Sequence, residues 1–392
     1  MRKLSALVAV MLLAPGLAHA KTLEELLVEK GVITKGEAMG ASSAGASKVY
    51  YDKGTRLEFP DTGVSAKINT QIQSRYTFTD NDDDAGEGNT SSFEVQRARL
   101  IVSGNALHNE FSYYLQADFA NDEGSDLRDA YIQWHACDWA TVRMGQFKTM
   151  LGRQFNTSSW KLQFPDRSTS TNYFDLGRQQ GAAGHAELAD GALLMSAGIF
   201  NGLSEGEGIN AAGVDTKHTG IVTARTNLMG EIDSFSEGDV EYTDDMGISL
   251  GAAYAYSDTE QDITYDHIAV DLNAKAQGFS FHGELFYSTQ DPDGGEKAEP
   301  LGFYAQAGYF LMPKKFEVAA RYDLLDCDDG KATGGSCDGN EQVDSVDVSL
   351  NYYWWKHQLK AQLAYAILNE EPVGGGDDIK TNRWMLQLGG YF

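Results

Sequence analysis

After residue 20, the sequence contains no long apolar run, and this absence excludes a membrane-spanning helix from that part of the chain. Such a helix needs about 18 or more consecutive apolar residues, whereas the mean hydropathy of the chain is −0.38. Proline is rare, with 7 residues, while the chain has 42 glycines, 19 tyrosines and 18 phenylalanines. This composition suits a β-rich chain with many turns. We therefore expect either a soluble β protein or a barrel that crosses a membrane with strands.

Cysteine is also scarce, and its three positions are Cys137, Cys327 and Cys337. No C-x-x-C-H haem motif and no paired C-x-x-C zinc motif occurs, so the sequence predicts no cofactor and no metal site. Cys327 and Cys337 flank an acidic, glycine-rich stretch. In an oxidising compartment this spacing predicts a local disulfide that closes a loop, with two free thiols as the alternative.

The first twenty residues are typical of an export signal. The dipeptide "RK" forms a basic start, Leu4 to Leu13 an apolar core, and "AHA" a cleavage site. We therefore expect a signal peptide over residues 1–20 and a mature chain that begins at Lys21; a signal anchor that stays in the membrane is the alternative. Cleavage removes two positive charges and changes the formal net charge from −26 to −28.

Residues 21–62 are predicted to form a periplasmic N-terminal extension. The stretch "TLEELLVEKG" predicts a short amphipathic helix with Leu23, Leu26 and Leu27 on one side. "GASSAGASK" then predicts a flexible linker. A mobile tail without a role is the alternative interpretation of this segment.

Over residues 63–392, apolar and polar residues alternate in segment after segment. In "VSAKINTQIQSRYTF", for example, Ile68, Ile72 and Tyr76 share one parity, and Gln71 and Arg75 share the other. Because successive strand side chains point to opposite faces, each such segment predicts a strand with one apolar and one polar face. The predicted strands are 64–79, 91–105, 109–120, 127–136, 141–148, 180–188, 193–200, 216–228, 245–256, 263–276, 278–288, 300–311, 315–325, 343–354, 357–368 and 380–392.

These strands number sixteen, an even count as in single-chain bacterial outer-membrane barrels. Short connections such as "ADGA", "MPKK" and "WKH" alternate with longer acidic ones such as "DNDDDAGEGN", with one exception at 229–244. The apolar faces require lipid to cover them, because no segment supplies a second apolar layer. The sequence therefore predicts an all-β fold, a closed antiparallel transmembrane β-barrel of sixteen strands whose last strand pairs with the first.

Five stretches resemble the phosphate-selective porin O and P family of bacterial outer membranes: "LEELLVEKGVIT", "SFEVQRARLIVSG", "LRDAYIQW", "VRMGQFKTMLGRQ" and "FPDRSTSTNYFDLGRQQGAAG". The resemblance implies a homotrimeric porin in the outer membrane of a Gram-negative bacterium. It also implies that a long loop after the fifth strand folds inward as a constriction loop, and that Phe392 is read by the insertion machinery. Gln96 stands where the family usually has a basic residue, and Met150 where a proline is common.

Charge is distributed unevenly between the predicted barrel wall and the loops. The polar parity of the strands carries ten basic side chains: Lys67, Arg75, Arg97, Arg99, Arg143, Arg225, Lys275, Arg321, Lys360 and Arg383. It carries seven acidic ones: Asp118, Asp129, Asp271, Glu284, Glu317, Asp323 and Asp347. The acidic excess lies in loops, as in Asp80, Asp82, Asp83, Asp84 and Glu87. Because selectivity depends on charges near the narrow point of a pore, the wall alone favours anions weakly.

The segment from Lys148 to Arg178 is the candidate constriction loop, and it is locally basic. Its basic residues are Lys148, Arg153, Lys161, Arg167 and Arg178, against Asp166 and Asp175. We expect these cations, together with Arg75, Arg97, Arg99 and Arg143 on the wall, to form an anion path, since arginine makes bidentate contacts with phosphate-like oxyanions. Pairing of Arg167 and Arg178 with carboxylates, which merely holds the loop, is the alternative.

Enzyme motifs are absent: no lipase elbow, metal-ligand cluster or paired nucleophile and base occurs, and His185 and His282 are isolated on predicted strands. The sequence predicts a porin for passive diffusion of small hydrophilic solutes, with a moderate preference for anions such as phosphate-like oxyanions. The expected partners are small anionic solutes, outer-membrane lipids and further copies of the chain, and not nucleic acid. One alternative is a general or cation-preferring porin with acidic, metal-concentrating loops. Another is a structural barrel that acts as an adhesin or as a sleeve for a partner protein.

Overall fold

The computed structural model describes residues 47–81, 88–121, 124–202, 217–258 and 263–392, together with Lys30 and Thr34. The predicted signal peptide and, apart from Lys30, the predicted N-terminal helix lie outside the described residues. The acidic run from Asp82 to Glu87 also lies outside them. No helix among the described residues is long and apolar enough to cross a membrane.

The described residues form eighteen strands that are joined in one antiparallel sheet. They are β1 (Lys48–Tyr51), β2 (Thr55–Phe59), β3 (Val64–Asn81), β4 (Thr90–Ala106), β5 (Phe111–Asn121), β6 (Gly124–Cys137), β7 (Ala140–Lys148), β8 (Arg178–Leu188), β9 (Leu193–Asn201), β10 (His218–Met229), β11 (Gly247–Asp258), β12 (Ile263–Ala276), β13 (Phe279–Pro292), β14 (Leu301–Met312), β15 (Phe316–Asp326), β16 (Asn340–Trp355), β17 (Leu359–Pro372) and β18 (Ile379–Tyr391).

Strands β3 to β18 close into a barrel of sixteen strands, because each pairs with its neighbours in sequence and β18 pairs with β3. At the seam Leu386 lies opposite Tyr76, and the backbones of Phe392 and Thr70 exchange hydrogen bonds of 3.0 and 2.8 Å. Closure satisfies the backbone groups that an open edge would leave exposed to lipid. Each predicted strand overlaps one of these sixteen, so the predicted barrel and its closure by the last strand are confirmed.

Strands β1 and β2 form a hairpin that the sequence did not predict. The hairpin continues the sheet beside the start of β3, with Thr55 opposite Ile68 and Phe59 opposite Val64. The C-terminal strand takes over this edge of β3 from Gln71 onward. The prediction of only a helix and a linker before residue 63 was therefore wrong for this stretch. Four or five exposed residues are too few to show an alternating apolar face.

The two parities of each barrel strand face opposite sides of the wall. On β3, Asn69, Gln71 and Gln73 are buried, whereas Ile68 and Ile72 are exposed. Polar residues inside and apolar residues outside are the arrangement of a barrel that stands in lipid and encloses water. Most of the charged side chains that were predicted for the interior are buried as well, for example Asp118, Glu317 and Lys360.

The two ends of the barrel differ in their connections. One end has short turns, for example 138–139 between β6 and β7 and 313–315 between β14 and β15. The exposed side chains of Trp134, Trp139 and Trp354 lie beside these turns, as expected for an aromatic girdle at a membrane interface. The connection 230–246 between β10 and β11 belongs to the same end and is much longer. The segment 149–177 between β7 and β8 belongs to the opposite end.

Candidate functional site in the barrel interior

Segment 149–177 lies against the inward face of one side of the wall. It contains two short helices, α1 (Arg153–Asn156) and α2 (Thr169–Phe174), and a 3-10 turn at Ser159–Lys161. The Gln163 side-chain amide donates to Glu317 Oε1 of β15 (2.7 Å) and to a serine of β13. Inward-facing side chains of β15 and β17 donate in turn to backbone carbonyls of the segment. These bonds attach the segment to β13–β17.

Two carboxylates of the wall hold the beginnings of the two helices. Glu284 on β13 accepts the backbone N–H groups of Arg153 and Gln154 at the start of α1. Asp323 on β15 accepts those of Thr169 and Ser170 at the start of α2. The first N–H groups of a helix have no partner within the helix, and a negative charge is favourable there. These two carboxylates are therefore occupied by backbone donors.

Glycine makes room for the segment at two inward positions of β14. A Cβ atom at Gly308 would lie 2.1 Å from Gln163 Nε2, and one at Gly302 would lie 2.7 Å from Phe174 Cε2. Phe174 also stacks on Phe286 of β13, with ring centroids 5.3 Å apart. The wall of this side is thus shaped to receive both polar and apolar side chains of the segment.

The connection 230–246 meets the same segment from the opposite end of the barrel. Its Glu237 is fully buried and binds Arg153 Nη2 (3.2 Å), Gln154 Nε2 (3.0 Å) and the backbone N–H of Gln163 (2.9 Å). Burial alone would raise the pKa of Glu237, but the Arg153 guanidinium and the hydrogen bonds from Gln163 and Gln154 together outweigh this effect and hold the pKa well below its usual range. Sequence reasoning missed this residue. The only sequence signal for it is the length of the connection at 229–244, which is an exception among the short turns at its end of the barrel.

A cavity of about 720 Å³ remains between segment 149–177 and the other side of the wall. Its lining includes inward side chains of strands β4 to β12 and the near face of the segment. Arg99, Arg143, Lys148 and Arg178 contribute positive charge to the lining, and Asp129 is among its acids. Some of the cations predicted for the anion path, from both the wall and the segment, therefore lie around one cavity.

Five of the nine predicted path residues are paired with carboxylates. Arg75 binds Asp166 (2.8 Å), Arg99 binds Asp118 (2.6 Å), Arg153 binds Glu237 (3.2 Å), Lys161 binds Asp233 (2.9 Å) and Arg178 binds Asp129 (3.1 Å). Arg153 is 0% exposed. Arg153 also lines the cavity, but its guanidinium is buried and paired, so it attaches segment 149–177 as well. Burial alone would raise the pKa of Asp166, but the Arg75 guanidinium together with the charges of Arg97 and Arg383 outweighs this effect and holds the pKa of that carboxyl below its usual range.

The other four, Arg97, Arg143, Lys148 and Arg167, have no carboxylate partner among the described residues. Lys148 Nζ donates to the carbonyl oxygens of Phe155 (2.6 Å) and Thr157 (3.2 Å). The Arg167 guanidinium donates to the same two carbonyls, at 3.3 and 2.8 Å. Backbone carbonyls thus hold these two basic side chains at one place, and the charge of Asp175 is near enough to attract Arg167.

Arg97 and Arg143 contact neutral side chains. Arg97 Nη1 donates to Gln73 Oε1 (3.0 Å). The charges of Arg99, Arg167 and Arg75 are near enough to repel it, and that of Asp166 is near enough to attract it. Arg143 donates twice to Gln133 Oε1, at 3.1 and 2.9 Å, and its guanidinium lies 4.4 Å from the centre of the Tyr131 ring. Both arginines therefore keep N–H donors that no described side chain uses.

The remaining predicted residues have simpler surroundings. Cys327 and Cys337 form a disulfide in the connection between β15 and β16, and the thiol of Cys137 is exposed. His185 Nδ1 lies 2.8 Å from Ser196 Oγ, and His282 Nδ1 lies 2.7 Å from Asn273 Oδ1. These contacts are neutral hydrogen bonds within the barrel wall.

Comparisons with known proteins agree with this architecture. The family model described as "Phosphate-selective porin O and P" matches residues 66–388. No curated protein matches the chain. Among solved structures, the outer-membrane channel DcaP of Acinetobacter baumannii is 15% identical with a TM-score of 0.61, covering 84% of this chain and 98% of its own. An anion-selective porin from Comamonas acidovorans is 12% identical with a TM-score of 0.58, covering 83% and 99%. OmpF of Salmonella typhi, in complex with daunomycin, is 14% identical with a TM-score of 0.56, covering 88% and 100%.

Proposed function

The chain belongs to the phosphate-selective porin O and P family, and from this premise we propose that its pore prefers anions among the small hydrophilic solutes that diffuse through it. As a member of this family it is an outer-membrane channel of a Gram-negative bacterium and not an enzyme. Segment 149–177 acts as the constriction, because it occupies one side of the lumen and leaves solutes the cavity on the other side. Phosphate-like oxyanions are the proposed solute class.

Four of the predicted path cations have no carboxylate partner in the described part of the chain, and this observation supports the preference. Arg143 and Lys148 line the cavity, and Arg97 and Arg167 lie beside its charged residues. Five other predicted path cations are paired with carboxylates, so they add little net charge. The formal net charge of −26 belongs to the whole chain. Because salt screens charges beyond about 10 Å at 0.1 M, distant acidic loops contribute little at the constriction.

Hydrogen-bond geometry adds a reason for oxyanions in particular. The fork of Arg143 uses two of its N–H groups on Gln133 and leaves the other donors toward the cavity. Two of the three protons of Lys148 are engaged by carbonyls, which leaves one donor. An oxyanion that exchanges water for these donors meets charge-assisted hydrogen bonds along its path. The resulting passage is diffusive, with contacts that are made and released in turn.

The active assembly is proposed to be a homotrimer, with outer-membrane lipids around it. A heat-modifiable trimer in mild detergent is the expected form on electrophoresis. The selectivity itself is tested by the reversal potential of the wild-type channel in a planar bilayer under a KCl gradient. We expect the sign that corresponds to anion preference. The opposite sign would favour the cation-preferring alternative, and absence of conductance would favour a structural barrel.

A further inference from the structure

Connection 230–246 enters the barrel from the short-turn end and contacts the attached constriction segment. We propose that this connection is a second internal element of the pore, and that Glu237 is the residue through which it positions segment 149–177. The inference rests on the proposed pore function but not on its preference for anions. It assigns a role in setting conductance to a part of the chain outside the predicted constriction.

The connection is held inside the wall by polar contacts near the short-turn end. Lys275 Nζ on β12 donates to the carbonyl oxygens of Asp233 (3.0 Å) and Ser236 (2.5 Å). Asp239 accepts the backbone N–H of Gly278 (2.8 Å) in the turn between β12 and β13. These bonds fix the connection to the wall independently of segment 149–177. The connection can therefore hold that segment in a defined position.

Several contacts between the two elements meet at Glu237, besides those of Lys161 with Asp233 (2.9 Å) and of Arg153 with the Ser234 carbonyl oxygen (3.2 Å). Glu237 binds the side chains of Arg153 and Gln154 in α1 through one oxygen, and the backbone of Gln163 through the other. Its own backbone N–H donates to the carbonyl oxygen of Lys161 at 3.0 Å. Two stretches of segment 149–177, 153–154 and 161–163, are therefore fixed by a single residue of the connection.

The position of Gly238 shows how closely the elements fit. Gly238 has φ +65°, a conformation that favours glycine. A Cβ atom there would lie 2.8 Å from Glu317 Oε1 and 3.5 Å from Gln163 Cγ. The backbone of the connection therefore approaches both the wall and segment 149–177 at the residue after Glu237.

The decisive experiment is a double-mutant cycle measured in single channels. Arg153→Met leaves Glu237 buried without the guanidinium that it binds, and breaking a buried pair in this way is more disruptive than removing both members. We expect a flickering current with subconductance states in Arg153→Met. Adding Glu237→Gln should restore a quieter current, and Glu241→Gln, an exposed position of the same connection with 67% side-chain exposure, should behave as wild type.

A second variant tests the connection as a whole. Replacing residues 231–245 by a tight turn should raise the conductance about twofold or more, since a sixteen-stranded barrel leaves an aqueous channel where nothing fills it. If this variant does not assemble, the double-mutant cycle decides. Wild-type conductance and noise in Arg153→Met, or additive effects in the double variant, would overturn the inference. The wild-type reversal potential, recorded in the same bilayers, tests the proposed anion preference separately, because a cation-selective channel can still show the predicted coupling.

Discussion

Arg143 is the residue at which the proposed charge of the pore can be tested with least disturbance of the fold. Its guanidinium lines the cavity, contacts the neutral Gln133 and Tyr131, and has no carboxylate partner among the described residues. Arg143→Gln removes one positive charge without leaving an unpaired acid behind. Arg97, by contrast, lies among several other cations whose positions would change with it.

The size of the effect follows from the distance at which a passing ion meets the guanidinium. Two unit charges 4 Å apart interact by about 1 kcal/mol in bulk water and about 4 kcal/mol at an effective dielectric of 20. The lower value is appropriate for a water-filled cavity, and about 1 kcal/mol corresponds to roughly a fivefold change in an equilibrium ratio. We therefore expect Arg143→Gln to lower the anion permeability by about fivefold and to raise the cation permeability by a similar factor, so that their ratio falls by roughly 25-fold.

The assay is the reversal potential in planar bilayers under a KCl gradient, with two matched variants. Arg143→Lys keeps the charge but loses the planar fork, so it should keep most of the chloride preference and lose any added preference for phosphate. Lys315→Gln removes a charge at an exposed turn outside the lumen and should have no effect, because of screening. If Arg143→Gln and wild type have the same reversal potential, the unpaired cations do not set the selectivity.

Three further predictions concern assembly and the attachment of segment 149–177. Deleting Phe392 should lower the amount of trimer in outer-membrane fractions, because the residue pairs at the barrel seam; normal levels would contradict this. Replacing Cys327 and Cys337 by serine should change the thermal unfolding of the barrel little, since the strands close through their own hydrogen bonds, and mass spectrometry that finds both thiols free in protein from the outer membrane would reject the disulfide itself. Gly308→Val should increase single-channel noise, because the site of its side chain is occupied by a glutamine, whereas Gly220→Ala at an open outward position should not; equal noise in both variants would mean that the segment tolerates displacement.

The strands could be predicted because each carries its own signal. Alternation is a local property of about ten residues, and it indicates which side chains face the interior without reference to tertiary contacts. The β1–β2 hairpin escaped this reasoning because its strands are short and exposed. The hairpin pairs with the first residues of β3, Val64 to Ile68, because the C-terminal strand pairs with β3 only from Gln71 onward.

The pairing of interior charges could not be predicted in the same way. Arg153 and Glu237 are separated by 84 residues, and no local pattern indicates that they meet. Counting charges by parity placed Glu284 and Asp323 correctly inside the barrel, yet it treated them as acids that oppose anions. The structure shows them bound to the first N–H groups of two helices. Such roles depend on where a connecting segment packs, which is decided by contacts far apart in sequence.

The two inward glycines of β14 have a consequence for any attempt to redesign this channel. Gly302 and Gly308 leave space for the side chains of segment 149–177 that pack on them. The inward surface of strands β13 to β17 is therefore complementary to this one segment. A different loop grafted between β7 and β8 would require new inward side chains on strands β13 to β17. Inward side chains of β4 to β12 that face only the cavity do not have to fit a packed segment. Libraries that aim at new solutes should therefore randomise that half of the circumference and leave the other half unaltered.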